Sequence, residues 1–302
     1  MNTTTDALHV TLEGLMRRYQ ERVPDVAKIL GDMTTAGLIA RPEDIENDHI
    51  AFRTMGVPNL GIRSFEKIFL ALGYTRREPY HFAAKKLDAF WYSPPSERLP
   101  RIFVSELRVD DLSPRAQRII RSYTDAVPLD PVDAIDLNDG HAIDAFLHAP
   151  LWRLPTLEDY QVLAEESEYA AWVIHNRYYL NHYTISVHNL PAPYNTLERF
   201  NQFLEQHGIV LNTSGGKIKK SPDGLLLQSS TVAEMIDAEF AGGGHERISG
   251  SYVEFAERLV LPQYAHLLPD RIKREHRREG FEAGNADKIF ESTYSEQTAQ
   301  RV

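Results

Sequence analysis

The stretch that most constrains how this chain can fold is Asn47–Thr54, because its pattern occurs twice. Read as Asn47-Asp48-His49-Ile50-Ala51-Phe52-Arg53-Thr54, it alternates as a half-buried strand does. Ile50 and Phe52 take one face; His49, Ala51 and Arg53 take the other. Asn181–His188 repeats it, with His182, Thr184, Ser186 and His188 on the polar or small face and Tyr183, Ile185 and Val187 on the apolar one. An amphipathic helix stopping at glycine is expected after each run. Ile62–Leu72 carries Phe65, Ile68, Phe69 and Leu72 at helical spacing before Gly73; Asn195–His207 carries Leu197, Phe200, Phe203 and Leu204 before Gly208. Three more strand-like runs follow each helix, and the last of each set carries glutamate. These are Arg101–Val109 with Glu106, and Ser251–Leu259 with Glu254 and Glu257. Two β-α-β-β-β units in one chain are a duplication. The expected class is α+β, with curved four-stranded sheets around a cavity.

The remaining segments frame the duplication. Residues 1–46 read as a helical cap, with helices over Ala7–Arg22 and Asp25–Ala36. The first module spans 47–110, with strands near 47–54, 74–82, 86–93 and 101–109. Residues 111–178 are a helical insertion. Ser113-Pro114 starts one helix, and Thr156-Leu157-Glu158-Asp159 starts another that runs to about Ile174 with Leu163, Tyr169, Trp172 and Val173 as core. The second module spans 179–260, interrupted by the turns Ser214-Gly215-Gly216 and Ser221-Pro222-Asp223-Gly224. Lys217, Lys219 and Lys220 between those turns read as a solvated hairpin. Gly242-Gly243-Gly244 reads as a flexible loop near the site, ahead of His245. In the tail, 261–302, Arg271, Lys273, Arg274, Arg277 and Arg278 read as a solvated helix face. No hinge-like linker separates these parts, so residues 1–302 are expected to form a single domain.

Composition narrows the chemistry. There is no cysteine among the 302 residues, so any metal is held by nitrogen and oxygen. A net charge of −10 argues against a nucleic-acid partner. No run of about 18 apolar residues suggests a membrane span, and Met1–Asp6 lacks the pattern of a signal peptide. A cytoplasmic protein acting on a small molecule is the expectation.

The ligand logic follows from the repeat. His49 and His182 occupy equivalent places on the two first strands, and a carboxylate from a last strand would complete a site of two histidines and one acid. About three coordination positions stay open, which suits non-heme Fe(II). Glu254 shares a face with Tyr252, Ala256 and Arg258, echoing His49, Ala51 and Arg53, and is the expected ligand; Glu257 is the alternative. Glu106 reads as the first-module counterpart, either a fourth ligand or an ion-pair partner. With Glu106 bound, the site would suit a Zn²⁺- or Ni²⁺-dependent isomerase or hydrolase. A non-catalytic binding protein is a further alternative, although binding alone does not require the repeated histidine. Arg53 is placed to fork onto a carboxylate.

These motifs, together with Ser249-Gly250-Ser251-Tyr252-Val253-Glu254-Phe255-Ala256-Glu257-Arg258 and Asn285-Ala286-Asp287-Lys288-Ile289-Phe290-Glu291-Ser292-Thr293, resemble the shorter branch of the 2-oxoadipate dioxygenase/decarboxylase family. The resemblance runs from about residue 10 to 295. It implies a fold similar to the vicinal-oxygen-chelate superfamily, and Fe(II) held by His49, His182 and Glu254. It also implies substrate binding by Arg53. Strand phase offers Arg258 as the second half of that clamp, and His245 reads as a surface-loop histidine or, within reach of the site, a proton donor. The implied partners are a 2-oxo acid and O₂, and the implied reaction converts 2-oxoadipate to 2-hydroxyglutarate with release of CO₂.

Overall fold

Residues 3–301 are described in a computed structural model; Met1, Asn2 and Val302, and with them the start of the polar Met1–Asp6 segment, lie outside the described residues. Two helices open the chain, α1 (Thr3–Arg22) and α2 (Pro24–Thr35). The first module follows as β1 (Asn47–Met55), α3 (Ile62–Ala71), β2 (Thr75–Phe82), β3 (Leu87–Ser93) and β4 (Arg101–Leu107). The insertion contributes α4 (Pro114–Thr124), α5 (Gly140–Leu147), α6 (Leu157–Glu166) and α7 (Glu168–Asn176). The second module is β5 (His182–Ser186), α8 (Leu197–Gln206), β6 (Lys219–Lys220), β7 (Leu226–Ser230), a hairpin of β8 (Met235–Glu239) and β9 (His245–Ser249), and β10 (Tyr252–Arg258). The tail carries α9 (Ala283–Phe290) and α10 (Ser295–Thr298). Among the described residues, no helix is long and apolar enough to cross a membrane.

The two modules share one eight-stranded sheet, ordered β2-β3-β4-β1-β5-β10-β7-β6. Its halves mirror each other about the antiparallel β1–β5 junction. Each half has one parallel pair, β1 with β4 and β5 with β10. Parallel pairing needs a crossover, and α3 and α8 open those crossovers. Both helices end where expected, at Gly73 (φ 90) and Gly208 (φ 76), left-handed positions that a side chain would strain.

The alternation of each strand sends its residues to two cores. Ile50, Phe52, Tyr183, Ile185, Val253 and Phe255 pack beneath α3 and α8, with Phe65, Phe69, Phe200 and Phe203. On the other face Ala51, Phe103 and Trp91 join α7 and the tail residues Phe281 and Phe290. The candidate site lies on that second face.

Four expectations need correction. The helix expected from Thr156 to Ile174 breaks at Ser167, whose extended backbone and hydroxyl, accepting the Ala170 N–H, start α7 afresh. Only Lys219 and Lys220 form β6, and Lys219 is not solvated: it is buried, with Nζ donating to the Asn212 carbonyl at 2.8 Å. Burial pushes its ammonium down to about 8. Gly242–Gly244, expected as a flexible loop near the site, is the turn of the β8–β9 hairpin, a two-stranded sheet apart from the main one. The basic run from Arg271 is no helix face; Arg274 donates to the carbonyls of Glu97 and Leu99, and Arg277 to that of Arg258, tying the tail across the strand ends.

Candidate metal centre

His49 and His182 stand on the neighbouring strands β1 and β5, where antiparallel pairing sets Ala51 opposite His182. Glu254 on β10 lies opposite Thr184, two residues along from His182 on the parallel neighbour. These three side chains converge, with one donor atom of each within 4.8 Å of the others. Glu254 Oε2 lies 3.1 Å from His182 Nε2, and Oε1 lies 3.5 Å from His49 Nε2. All three are buried.

Both imidazoles are turned by the residue just before them. Asp48 Oδ1 lies 2.8 Å from His49 Nδ1, and Asn181 Oδ1 lies 3.0 Å from His182 Nδ1. Each oxygen accepts the Nδ1–H, which leaves both Nε2 lone pairs directed toward Glu254. Thr184 Oγ1 and Gln228 Nε2 complete the polar contacts, at 3.1 Å from His49 Nε2 and 2.6 Å from Glu254 Oε1. Burial alone would raise the Glu254 carboxyl; His49 and His182 outweigh it and hold the group well below the usual carboxylate range. Burial likewise works against the charge on His49, yet Glu254 and Asp48 raise it, whereas burial prevails at His182 and lowers it. Two neutral-capable nitrogens and one firmly ionised carboxylate form a donor set that fits a divalent cation. Donors about 2.1 Å from one ion at right angles stand about 3 Å apart, close to the spacings here.

A cavity of about 20 Å³ opens beside the triad, walled by Phe103, Gln228, Phe281, Ala286, Ile289 and Phe290. Arg53 lies behind Phe290. Its guanidinium donates to Thr293 Oγ1 at 2.9 Å and to the Phe290 carbonyl at 3.0 Å. The rings of Tyr169 and Trp172 stand 5.0 and 5.1 Å from it. Among the described residues no carboxylate pairs with it, and its Nε and the Tyr252 hydroxyl are both buried without a hydrogen-bond partner.

Other expected site residues go elsewhere. Glu106 accepts the Ile62 N–H at 2.7 Å, and Glu257 accepts the Leu197 N–H at 2.7 Å, so each serves the start of its module's helix. Glu106 is the counterpart of Glu257, not of Glu254: His49 sits opposite Arg101 and His182 opposite Tyr252, and counting onward pairs Glu106 with Glu257 and Phe103 with Glu254. Arg258, expected at the substrate, faces Asp48 through Nε and Nη2. His245 is exposed at the start of β9 and does not line the cavity. Asp48, Asn181, Gln228 and Phe281 were given no role from sequence; for the first two, the place immediately before each repeated histidine was the available sign.

Comparison with known proteins places the chain in a family. The family model described as 2-oxoadipate dioxygenase/decarboxylase matches residues 11–272. The chloroplastic 2-oxoadipate dioxygenase/decarboxylase of Arabidopsis thaliana is 48% identical over 266 residues, 84% of this chain and 70% of that protein. The crystal structure of hydroxyglutarate synthase from Oryza sativa in complex with 2-oxoadipate matches with a TM-score of 0.89 and 43% identity, over 99% of this chain and 96% of that one. A glyoxalase-superfamily protein from Ralstonia eutropha shares the fold at a TM-score of 0.67 and 21% identity, covering 93% and 86% of the two chains. With a family match across most of its length and relatives at this identity, the chain belongs to the 2-oxoadipate dioxygenase/decarboxylase family.

Proposed function

We propose that His49, His182 and Glu254 hold Fe(II), and that the chain converts 2-oxoadipate and O₂ to 2-hydroxyglutarate and CO₂. The observation that carries this reading is the buried convergence of two imidazole Nε2 atoms and one carboxylate, with no fourth acid beside them among the described residues. A ferrous ion bound there supplies O₂ binding and electron transfer, chemistry that side chains lack. Atoms balance: the keto diacid loses its carboxyl as CO₂, one oxygen atom completes the new carboxylate, and the other becomes the hydroxyl.

The protein's own part is placement. Asp48 and Asn181 hold the imidazoles by their Nδ1–H groups, and Gln228 holds Glu254 through Oε1. Phe103, Phe281, Ile289 and Phe290 keep bulk water from the site. Arg53, a buried cation without an anion, binds a substrate carboxylate, since an unpaired buried charge is costly. Arg258 has no such freedom, being committed to Asp48. A Zn²⁺ or Ni²⁺ isomerase would draw on Glu106 as fourth donor, and Glu106 is bonded to the α3 backbone instead. A cytoplasmic location belongs to this proposal through composition only; the Arabidopsis relative is named chloroplastic.

The test is to load the protein anaerobically with Fe(II), add 2-oxoadipate and admit air. One O₂ should be consumed and one CO₂ released per 2-hydroxyglutarate formed, and His182→Ala should stay folded and do neither. Turnover without O₂ loss, or equal turnover with zinc alone, would overturn the reading.

A further inference from the structure

The two imidazoles are oriented by chemically different partners. His182 faces the neutral amide of Asn181, whereas His49 faces the carboxylate of Asp48. Asp48 is 1% exposed and therefore needs cations around it. Arg258 takes both its oxygens, Nε to Oδ2 at 2.6 Å and Nη2 to Oδ1 at 2.9 Å, and Arg101 Nη1 adds a contact to Oδ2 at 3.2 Å. The third nitrogen of Arg258 reaches the other way. Nη1 donates to the carbonyls of Arg278, at 3.0 Å, and Gly280, at 2.7 Å. Arg101 is likewise shared, since its Nη2 donates to Glu279 Oε2 at 2.9 Å. The two guanidiniums that hold Asp48 thus also hold residues 278–280. The next residue, Phe281, sets its ring edge-on to His49 with centroids 4.7 Å apart and lines the cavity.

We propose that Asp48 and Arg258 are positioning residues for His49, and that through them the docking of Arg278–Phe281 sets the orientation and donor strength of one metal ligand and not of the other. The proposal rests on the metal reading above. A carboxylate on Nδ1–H fixes the tautomer and makes Nε2 a stronger donor than an amide does. Asp48 stays in place only as far as the rigid fork of Arg258 does. That fork is closed on its far side by the tail. Lifting the tail takes two acceptors from Arg258 and the partner acid from Arg101, so Asp48 gains freedom and His49 with it. Asn181 hydrogen-bonds through its backbone to β1 and β10 and makes no bond to residues 278–281.

Coupling of this kind is reciprocal: if docking favours the metal, the metal favours docking. Co(II) serves as the probe, because it can be titrated into the metal-free full-length protein and followed by its visible absorption. Hydrogen exchange of residues 278–281 is measured in parallel. Wild type should bind one Co(II) and slow exchange in that segment on binding. Asp48→Asn and Arg258→Lys should weaken Co(II) binding by about 10- to 100-fold and alter its absorption. Arg258→Lys should also remove the metal-dependent slowing of exchange, while Asn181→Ala should leave that slowing in place. Folded variants with wild-type Co(II) affinity and spectrum would overturn the proposal, as would exchange in wild type that ignores the metal. If Asp48→Asn does not fold, Arg258→Lys, which keeps the charge, carries the same expectation. Failure of the metal reading looks different: His182→Ala would then bind Co(II) as wild type does, or wild type would bind none.

Discussion

Arg53 is a cation that the fold buries among Tyr169, Trp172 and Phe290, and among the described residues no acid pairs with it. Its fork matters if it grips a carboxylate, so Arg53→Lys should lower kcat/KM for 2-oxoadipate by about 30- to 150-fold, or about 2–3 kcal/mol, with bound metal unchanged. Steady-state kinetics against a monocarboxylate 2-oxo acid of equal length checks this, since that substrate should lose far less. A second residue sets an acid limit. Burial, aided by Arg277, pushes the His188 imidazole down to about 3, and its Nδ1 accepts the Arg258 N–H. The unfolded chain takes up this proton near pH 6.5 and the folded chain only near 3, so the stability is full above about 6.5 and drains as pH falls. The loss approaches about 1.4 kcal/mol per pH unit. Urea unfolding from pH 7 to 4 should therefore show a shallower decline in His188→Asn, which keeps an acceptor but cannot protonate. His49, His182 and Glu254 were legible because alternation and repetition mark a face. The roles of Asp48 and Arg258 were not. An extra residue between Asn47 and Ile50 disturbs the β1–β5 register beside Asp48, and bulges of that kind re-aim side chains without leaving a sequence sign.

At the scale of elements, the two glutamates that look like spare ligands are helix anchors. Each accepts a backbone N–H in the first turn of α3 or α8, where a carboxylate also meets the positive end of the helix. Glu257→Ala should cost about 1–2 kcal/mol in denaturant unfolding and leave metal content intact. Glu254→Ala should do the reverse, keeping the fold and losing the ion, by elemental analysis. Strand phase put Glu254 and Glu257 on opposite faces, and the structure has Glu254 toward the histidines and Glu257 toward α8. The match of Glu106 to Glu254 failed because phase within a strand says nothing of register between strands. Helix spans were read closely where apolar spacing and a stopping glycine agreed, as at α3 and α8. The helix beginning at Thr156 was read as one because Ser167 is an ordinary helix surface residue until its hydroxyl caps α7. The β8–β9 hairpin was invisible for a related reason: its runs alternate like sheet strands, and only tertiary packing sends them away from the main sheet.

For the whole molecule, the governing fact is a pseudo-symmetric sheet with an unsymmetric centre. The halves mirror each other strand for strand about β1 and β5, both carry a histidine, and both tie a glutamate to their helix. Yet where one half has Glu254 the other has Phe103. Phe103→Glu should therefore add a fourth protein donor. The metal-free variant should lose about 1–3 kcal/mol from a second buried acid, metal should restore more stability than in wild type, and O₂ uptake should fall; thermal melts with and without Co(II) and an oxygen electrode measure all three. Phe103 also gives the cavity an apolar wall, so the same exchange that leaves the triad with one acid dries the space beside it. In terms of descent, such an exchange is open to a covalently joined pair and closed to a homodimer. In a homodimer of single modules every substitution is inherited by both halves, and losing one acid means losing two. With both modules in one chain, one half can carry an acid at a place where the other carries a phenylalanine.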